Sequence, residues 1–279
     1  MAVSFFQMKS LGNLSIYVIH YSKLIERKAN LIVSLSHGAV SAEWITEKDF
    51  KFFPSAKIKQ RKILGVSKKI LGMDLGVNSR SLVYSRKKAR IQGFILFIRS
   101  FLSFPNNSYT TGSLPNRIDL PKHQIELQQM HLTALQRGVV SGSSWILVLE
   151  DDVIPIDNAF ELVDEIIMGY KPKKTWMNLN SGANLTRTSS DPKPDKFGLF
   201  RVIPAGTRCA AAYLVSKDLA LEILRLVEKF GTPTWLPIDL IYQAALRKTK
   251  AKAYWQEPVS FLQGSEEGHF KSNLDGRRG

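Results

Sequence analysis

The stretch WILVLEDDVIP, from Trp145 to Pro155, constrains the fold of this chain more than any other. Five consecutive apolar residues run directly into three acids, Glu150, Asp151 and Asp152. The lack of polar alternation predicts a strand that is buried on both faces, as in the sheets of α/β proteins. The acids would then lie at the C-terminal end of this strand, where open α/β sheets place their ligand crevices.

Three adjacent carboxylates repel one another, so we expect a cation beside them. Oxygen ligands favour a hard divalent ion, and Mn²⁺ or Mg²⁺ bound there would in turn hold a diphosphate. The alternative is an acidic, solvated turn that caps the following helix. The acidic residues alone leave both interpretations open.

Length and charge limit the class of protein. The chain has 279 residues with 44% hydrophobic residues, enough for one large α/β domain or two small ones. A net charge of +15 predicts an anionic partner, such as a phosphorylated substrate, an acidic membrane surface or nucleic acid. The single cysteine, Cys209, excludes an internal disulfide and fits a reducing compartment. Because there is also no apolar run of membrane-spanning length, we expect a cytoplasmic protein.

The segment from Lys51 to Arg90 carries twelve basic residues and one acid, Asp74. One interpretation is a footprint for anionic lipid headgroups at the inner membrane face, each nearby basic residue adding about 1 kcal/mol. The adjacent stretch Phe94 to Phe104, FILFIRSFLSF, would lie in the interface. The alternative is a solvated insert. Nucleic acid is less favoured, because no recognised binding motif accompanies the charge.

The first α/β unit combines a strand at Ile16 to Ile19 with a helix through Leu35 that Ser22 would cap. Arg27 falls on the first turns of this helix, where it would reach a phosphate or uracil or else simply face solvent. A second helix is predicted at Lys122 to Val140. It carries His131, and a lone helical histidine is more often a packed or surface residue than a ligand.

Two later segments hold further candidates. RVIPAGTRCAAAYLV predicts a strand, a turn at Gly206 and another strand, so Gly206 would shape a sugar pocket or serve tight core packing. Ser216 then caps a helix that Gly231 ends. In WLPIDL, Pro237 predicts a helix start, and the helix dipole would lower the proton affinity of Asp239. An ionised Asp239 would serve as a general base; ordinary helix-start charge is the alternative.

Taken in order, IYVIHYSKLIERK, the helix with His131, VLEDDV, RCAAAYLVSKD, LPIDL and a polar tail containing QGS resemble glycosyltransferase family 25. That family includes bacterial lipooligosaccharide galactosyltransferases and collagen galactosyltransferases. The resemblance implies one α/β domain over residues 1–279, of the GT-A type. This is a Rossmann-like nucleotide-sugar-binding fold with a central mixed sheet flanked by helices. The basic insert, about residues 51–121, is not part of the resemblance.

The resemblance also implies a reaction and a set of roles. The family transfers a sugar, typically galactose from UDP-galactose, with inversion. The three acids match its metal-binding motif, in which Asp152 binds Mn²⁺ or Mg²⁺, Glu150 approaches the ribose or the metal shell, and Asp151 supports them. Asp239 stands where an acid faces the acceptor. His269 matches a C-terminal histidine that adds to the metal shell. Together with His131, the residues Arg27 and Gly206, which their local positions already single out, are further candidate contacts to the nucleotide sugar.

The helix before the acidic strand departs from the family pattern. The bacterial members usually carry a Gly-Glu-Ile-Gly-Cys run and then Ser-His, whereas HQIELQQMH keeps only Ile125 and His131. The donor sugar is therefore not fixed, and the acceptor is expected to be a lipooligosaccharide or another glycan. Two other functions remain open: a metal-dependent phosphoryl-transfer or nuclease enzyme, and a non-catalytic carbohydrate- or membrane-binding module.

Overall fold

The structure is a computed structural model that describes residues 12–38, 40–50, 120–182, 185–189, 191–203, 205–232 and 237–270. The basic segment Lys51 to Arg90 and the apolar stretch Phe94 to Phe104 lie outside these residues. Within the described ranges, none of the helices is both long and apolar enough to cross a bilayer.

The described residues form a seven-stranded mixed sheet and a separate two-stranded ribbon. The predicted acidic strand is confirmed: its five apolar residues are buried, and Glu150 is its last residue. The strands are β1 Leu14–Ile19, β2 Glu43–Ile45, β3 Trp145–Glu150, β4 Val153–Pro155, β5 Thr175–Asn178, β6 Leu199–Val202, β7 Ala212–Ser216, β8 Lys252–Gln256 and β9 Phe261–Gln263.

The order of the large sheet is β2-β1-β3-β7-β5-β8-β6. β1 pairs in parallel with β2 on one side and with β3 on the other, while β7 runs antiparallel to β3 and β5. The next two strands along the polypeptide, β2 and β3, therefore lie on opposite sides of β1. Strand order reverses at the carboxyl ends of β1 and β3, which is the kind of switch point at which α/β sheets bind ligands.

Five helices of the described residues cover both faces of the sheet. Side chains of the first and third helices pack into one hydrophobic core, and those of the other three pack into a second core on the opposite face. An α/β fold with a mixed sheet is thus confirmed. The helices are α1 Ile25–His37, α2 Lys122–Val140, α3 Ala159–Gly169, α4 Lys217–Phe230 and α5 Ile238–Thr249.

Most of the predicted elements are confirmed, with differences at their ends. The helix at Lys122–Val140 has the predicted bounds, and Gly231 follows α4 with a φ of 75°. Ser22 does not cap α1, because its amide and hydroxyl both donate to the carboxylate of Glu47. The strands on either side of Gly206 both exist but do not pair: β6 lies at the sheet edge beside β8, and β7 lies inside.

The two-stranded ribbon brings a late part of the chain to the acidic strand. β4 follows the acids and pairs antiparallel with β9. The turn after β9 continues past the acids, and the backbone N–H of Gly264 donates to the carbonyl of Asp152 over 2.8 Å. The polar tail predicted from Gln263 onwards therefore begins at the last residue of β9 and continues as a turn against the candidate site.

Candidate functional site

A cavity of about 280 Å³ opens at the carboxyl ends of β1 and β3. This is also the switch point of the sheet, and the sequence had placed the acids at the C-terminal end of their strand. The end of β1, the first turns of α1, the end of β3 and the start of α5 contribute to its wall. It brings together five of the residues predicted from sequence: Arg27, Glu150, Asp151, Asp152 and Asp239.

Asp151 is buried, and both of its carboxylate oxygens have partners. Oδ2 lies 2.9 Å from Nδ1 of His20 and accepts the backbone N–H of Tyr21 over 3.3 Å. Oδ1 accepts Nη1 of Arg27 over 3.1 Å. Asp151 therefore fastens the loop after β1 and helix α1 to the end of β3. Arg27, predicted to reach a phosphate or uracil, lines the cavity while it is held in this ion pair.

Asp152 is only partly satisfied. Its Oδ2 accepts the hydroxyl of Ser265 over 2.6 Å and lies 3.8 Å from Nη1 of Arg27. Its Oδ1 is buried and has no hydrogen-bond partner among the described residues. Burial raises the pKa of Asp152 above its ordinary value, although Ser265 and Arg27 act in the opposite direction. An unpaired carboxylate oxygen of this kind is costly unless a cation or donor fills the space.

Glu150 extends from the last position of β3 into the same cavity, with 20% of its side chain exposed. Removal from water, together with the nearby carboxylates of Asp152 and Asp151, raises the pKa of Glu150 to about 8. Its Oε1 lies 3.3 Å from Nε2 of His131. Without a cation, this group is mostly protonated at neutral pH.

Asp239 lies in the first turn of α5, as predicted, and lines the cavity. The expectation that the helix dipole lowers its proton affinity is wrong. Burial and the neighbouring Glu150 raise the pKa of Asp239 to about 7 and outweigh the effect of the helix start. Its Oδ1 is buried and unpartnered among the described residues. A pKa near 7 suits a general base at neutral pH better than the strongly acidic group that the sequence suggested.

His131 lies beneath Glu150 rather than in the cavity wall, and its side chain is fully buried. Nδ1 lies 3.2 Å from the hydroxyl of Tyr213, which in turn lies 3.0 Å from the hydroxyl of Tyr242. Burial lowers the pKa of His131 to about 4, so the ring is neutral at pH 7. Its predicted contact with the nucleotide sugar could therefore act only through Glu150.

Two predicted residues lie elsewhere. The carbonyl of Gly206 accepts Nε1 of Trp255 over 3.1 Å, which joins the turn to β8. His269 is exposed, and its backbone N–H donates to Gly264 over 2.8 Å. Neither is part of the cavity wall. A sugar contact at Gly206 and a metal contact at His269 stay predictions.

Sequence reasoning missed several residues of the wall: Tyr21, His123, Gln124, Cys209 and Ser265. Tyr21 follows the end of β1 by two positions, and a strand end at the switch point was the available signal. Ser265 belongs to the QGS run that entered the resemblance without a role. The sequence carried no signal for His123 or Gln124, because their positions depend on how α2 packs beside α5.

The site has the chemistry for a divalent cation but lacks a complete set of protein ligands. Among the residues that the structure describes, no group of three or more His, Cys, Asp or Glu side chains is arranged to hold a metal ion. Mg²⁺, however, is commonly bound through one or two carboxylates, with phosphates and water completing its shell. Asp152 and Glu150 fit this incomplete set, since Asp152 offers a free buried oxygen and Glu150 lies beside it.

The balance of charge in the cavity also favours a cation. Four carboxyl groups line it, from Glu150, Asp151, Asp152 and Asp239, and among the described lining residues Arg27 is the one Lys or Arg. Burial is the main cause of the raised pKa values of Glu150 and Asp239, and the neighbouring carboxylates raise them further.

No model of a known protein family matches the chain, and no curated protein matches it in sequence.

Proposed function

We propose that this protein is a divalent-cation-dependent glycosyltransferase that moves a sugar, galactose in the first instance, from a UDP-sugar to a glycan acceptor. The observation that carries the proposal is the unpaired, buried Oδ1 of Asp152 in a cavity at the switch point of an α/β sheet. The resemblance to glycosyltransferase family 25 names the same three acids as the metal-binding motif. The mixed α/β sheet is compatible with a Rossmann-like fold, the broader class to which the GT-A type implied by this family belongs.

Asp152 and Glu150 would hold the cation, with Asp151 fixing the backbone and Arg27 beside them. Mn²⁺ or Mg²⁺ bound there supplies positive charge that stabilises the diphosphate leaving group. The residues of the chain bind and orient the donor around that point. Tyr21 and Arg27 come from the loop and helix after β1, and both face the cavity.

Asp239 would accept the proton of the attacking acceptor hydroxyl. It faces the acids from α5, an element separate from β3, so the donor can lie between them. Its pKa of about 7 allows Asp239 to take up a proton at neutral pH. Attack from the face opposite the leaving group makes the reaction inverting, as the resemblance implies.

The class of sugar acceptor that we propose is based on the net charge of the protein. A net charge of +15 favours an acceptor on an anionic surface, such as a lipid-linked oligosaccharide at the inner face of a membrane. A cytoplasmic, peripheral location would give the protein access to nucleotide sugars and to such an acceptor.

A panel of nucleotide sugars, scored by hydrolysis with and without Mn²⁺, tests enzyme class, donor and cation together. We expect UDP-galactose hydrolysis that EDTA abolishes and Mn²⁺ restores. Asp152→Asn should lower the rate at least about 100-fold, because a Lewis acid is worth several kcal/mol in the transition state. The matched control is Asp157→Asn, which removes an exposed carboxylate from the turn before α3 and should leave the rate unchanged.

Four results would count against the proposal. Full activity in chelator, or in a folded Asp152→Asn variant, contradicts the cation site. Cleavage of DNA or RNA with Mg²⁺, in the absence of any sugar-nucleotide hydrolysis, would instead favour the phosphoryl-transfer alternative. Binding of UDP-sugars without turnover would favour the non-catalytic module.

A further inference from the structure

A chain of hydrogen bonds runs behind the acid at the end of β3. It links the hydroxyl of Tyr242 to that of Tyr213 over 3.0 Å, Tyr213 to Nδ1 of His131 over 3.2 Å, and Nε2 of His131 to Oε1 of Glu150 over 3.3 Å. All three ring side chains are fully buried. This series of hydrogen bonds therefore passes through the protein interior and reaches the cavity only at Glu150.

The direction in which these groups donate their protons follows from the end of the series at Tyr242. A neutral imidazole donates from one nitrogen and accepts at the other. If Glu150 were the first donor, Tyr242 would be the last, and its proton would have no acceptor among the described residues apart from Tyr213 itself. If Tyr242 is the first donor, it donates to Tyr213, Tyr213 donates to Nδ1 of His131, and Nε2–H donates to Glu150, so each of these protons has an acceptor. An unsatisfied buried donor costs about 1–3 kcal/mol, so the second direction is favoured.

Aromatic packing holds the hydrogen-bonded side chains in place. The ring of Trp176 stacks on Tyr213 with 4.2 Å between centroids, and the ring of His131 stacks on Tyr213 at 5.8 Å. Trp176 also contacts Tyr242 at 4.9 Å. Because the aromatic rings fix one another, the hydroxyl groups have little freedom to seek other partners.

We propose that His131 is a positioning residue: Tyr242 and Tyr213 set its tautomer with the proton on Nε2, and that N–H holds Oε1 of Glu150. The other oxygen of Glu150 is thereby kept toward the cavity, where the ionised group would face the bound cation and a hydroxyl of the nucleotide. The second part of this inference rests on the proposed function. The inferred tautomer of His131 does not depend on the proposed function, and it can be measured separately.

The first measurement is the protonation of the ring nitrogens in the wild-type protein. The chain has five histidines, so long-range ¹H–¹⁵N correlation of ¹⁵N-histidine-labelled protein gives few signals, and His131→Gln identifies the one in question. We expect Nε2 protonated and Nδ1 unprotonated at pH 7. A proton on Nδ1 overturns the inference, whether or not the protein binds nucleotide.

The second measurement compares variants by calorimetric titration with UDP in the presence of Mn²⁺. Tyr213→Phe removes the donor to Nδ1 and should mix the tautomers and weaken binding about tenfold, as for other groups behind a metal site. The matched control is Tyr170→Phe, which removes a tyrosine hydroxyl that donates to Asp195 on the other side of the sheet. Its affinity and its His131 signal should not change.

Substitution of the histidine separates positioning from packing. His131→Gln keeps an N–H donor for Glu150, so it should retain more affinity than His131→Leu, even if both lose stability. Equal affinity of wild type, Tyr213→Phe and His131→Leu contradicts the positioning role. If the wild type binds no UDP with Mn²⁺, the proposed function fails, and the ring-nitrogen spectrum still decides the tautomer.

Discussion

Two buried polar clusters of this protein differ in how their charges are balanced. The acid cluster consists of Glu150, Asp151, Asp152 and Asp239, and the arginine cluster consists of Arg208, Glu257, Gln256 and Asn178. In the arginine cluster, Arg208 pairs with Glu257 and donates to the carbonyl of Gln256 over 3.2 Å, with its guanidinium 4.7 Å from the ring of Trp255. Asn178 accepts the backbone N–H of Arg208 over 3.2 Å.

The arginine cluster has one positive and one negative charge, whereas the acid cluster has four carboxyl groups beside one arginine. The first joins β8 to the turn before β7, and such a cluster needs no ligand to be stable. In the second, two carboxylate oxygens are buried without partners and two pKa values are raised to 7 or above. Buried polarity by itself therefore does not mark a site, whereas uncompensated charge at a cavity does.

The largest expected difference between the clusters is in turnover. Asp239→Asn should lower kcat for sugar transfer about 100- to 10,000-fold, the usual contribution of a general base. Glu257→Gln should leave kcat within about twofold, because Glu257 is not part of the cavity wall and pairs with Arg208 instead. Initial rates with the active donor measure both. A folded Asp239→Asn variant with normal turnover would exclude Asp239 as the base.

Stability should respond in the opposite order. Glu257→Gln leaves a buried guanidinium without its counter-ion and should cost about 1–3 kcal/mol of unfolding free energy, less than for a fully buried pair because Glu257 is 28% exposed. Asp239→Asn replaces a carboxyl whose Oδ1 is buried without a partner among the described residues, and it should be neutral or stabilising. Urea unfolding compares them. Equal losses in the two variants would mean that the clusters do not differ in charge balance.

A smaller effect is expected in the pH dependence of stability. Glu150 and Asp239 have pKa values of about 8 and 7 in the folded chain, against 4.5 and 3.8 as ordinary values. Between these pH values the folded protein keeps protons that the unfolded chain has lost. The contribution of the two groups to the free energy of unfolding is therefore largest at about pH 4 and decreases as the pH rises towards 8.

Mn²⁺ should oppose this fall, since cation binding favours the ionised carboxylates. The rise in Tm on adding Mn²⁺ should therefore be larger at pH 8 than at pH 5, as measured by thermal unfolding. Glu150→Gln should reduce both the fall and the Mn²⁺ effect. An apo protein with the same Tm from pH 5 to pH 8 would contradict the raised pKa values.

The smallest effect concerns Ser265, whose hydroxyl donates to Asp152 and favours its ionised form. Ser265→Ala should weaken Mn²⁺ binding about three- to tenfold, which corresponds to about 1 kcal/mol, the net contribution of a typical single hydrogen bond. The control, Ser143→Ala, removes a hydroxyl contact with Ser15 near the opposite end of β1. Calorimetric titration of Mn²⁺ with UDP present distinguishes the two. Unchanged affinity in Ser265→Ala would separate this hydroxyl from the site.

The sequence predicted the buried acidic strand and the position of its acids at the carboxyl end, because an unbroken apolar run followed by acids leaves few other arrangements. It also predicted that Asp239 starts a helix, since Pro237 marks that position. It failed on the protonation of Asp239: the proximity of Glu150 is a tertiary contact that no local pattern carries. The role of Ser265 was missed for the same reason, since its partner lies 113 positions earlier.

The contact between Asp152 and the turn at Gly264 and Ser265 has a consequence for biosynthesis. During translation, Asp152 leaves the ribosome 113 residues ahead of Ser265, so β3 is complete long before its acids receive these last partners. The wall of the cavity is therefore completed only when the ribbon of β4 and β9 forms beside the acids. Ligand capture should begin only after that late step.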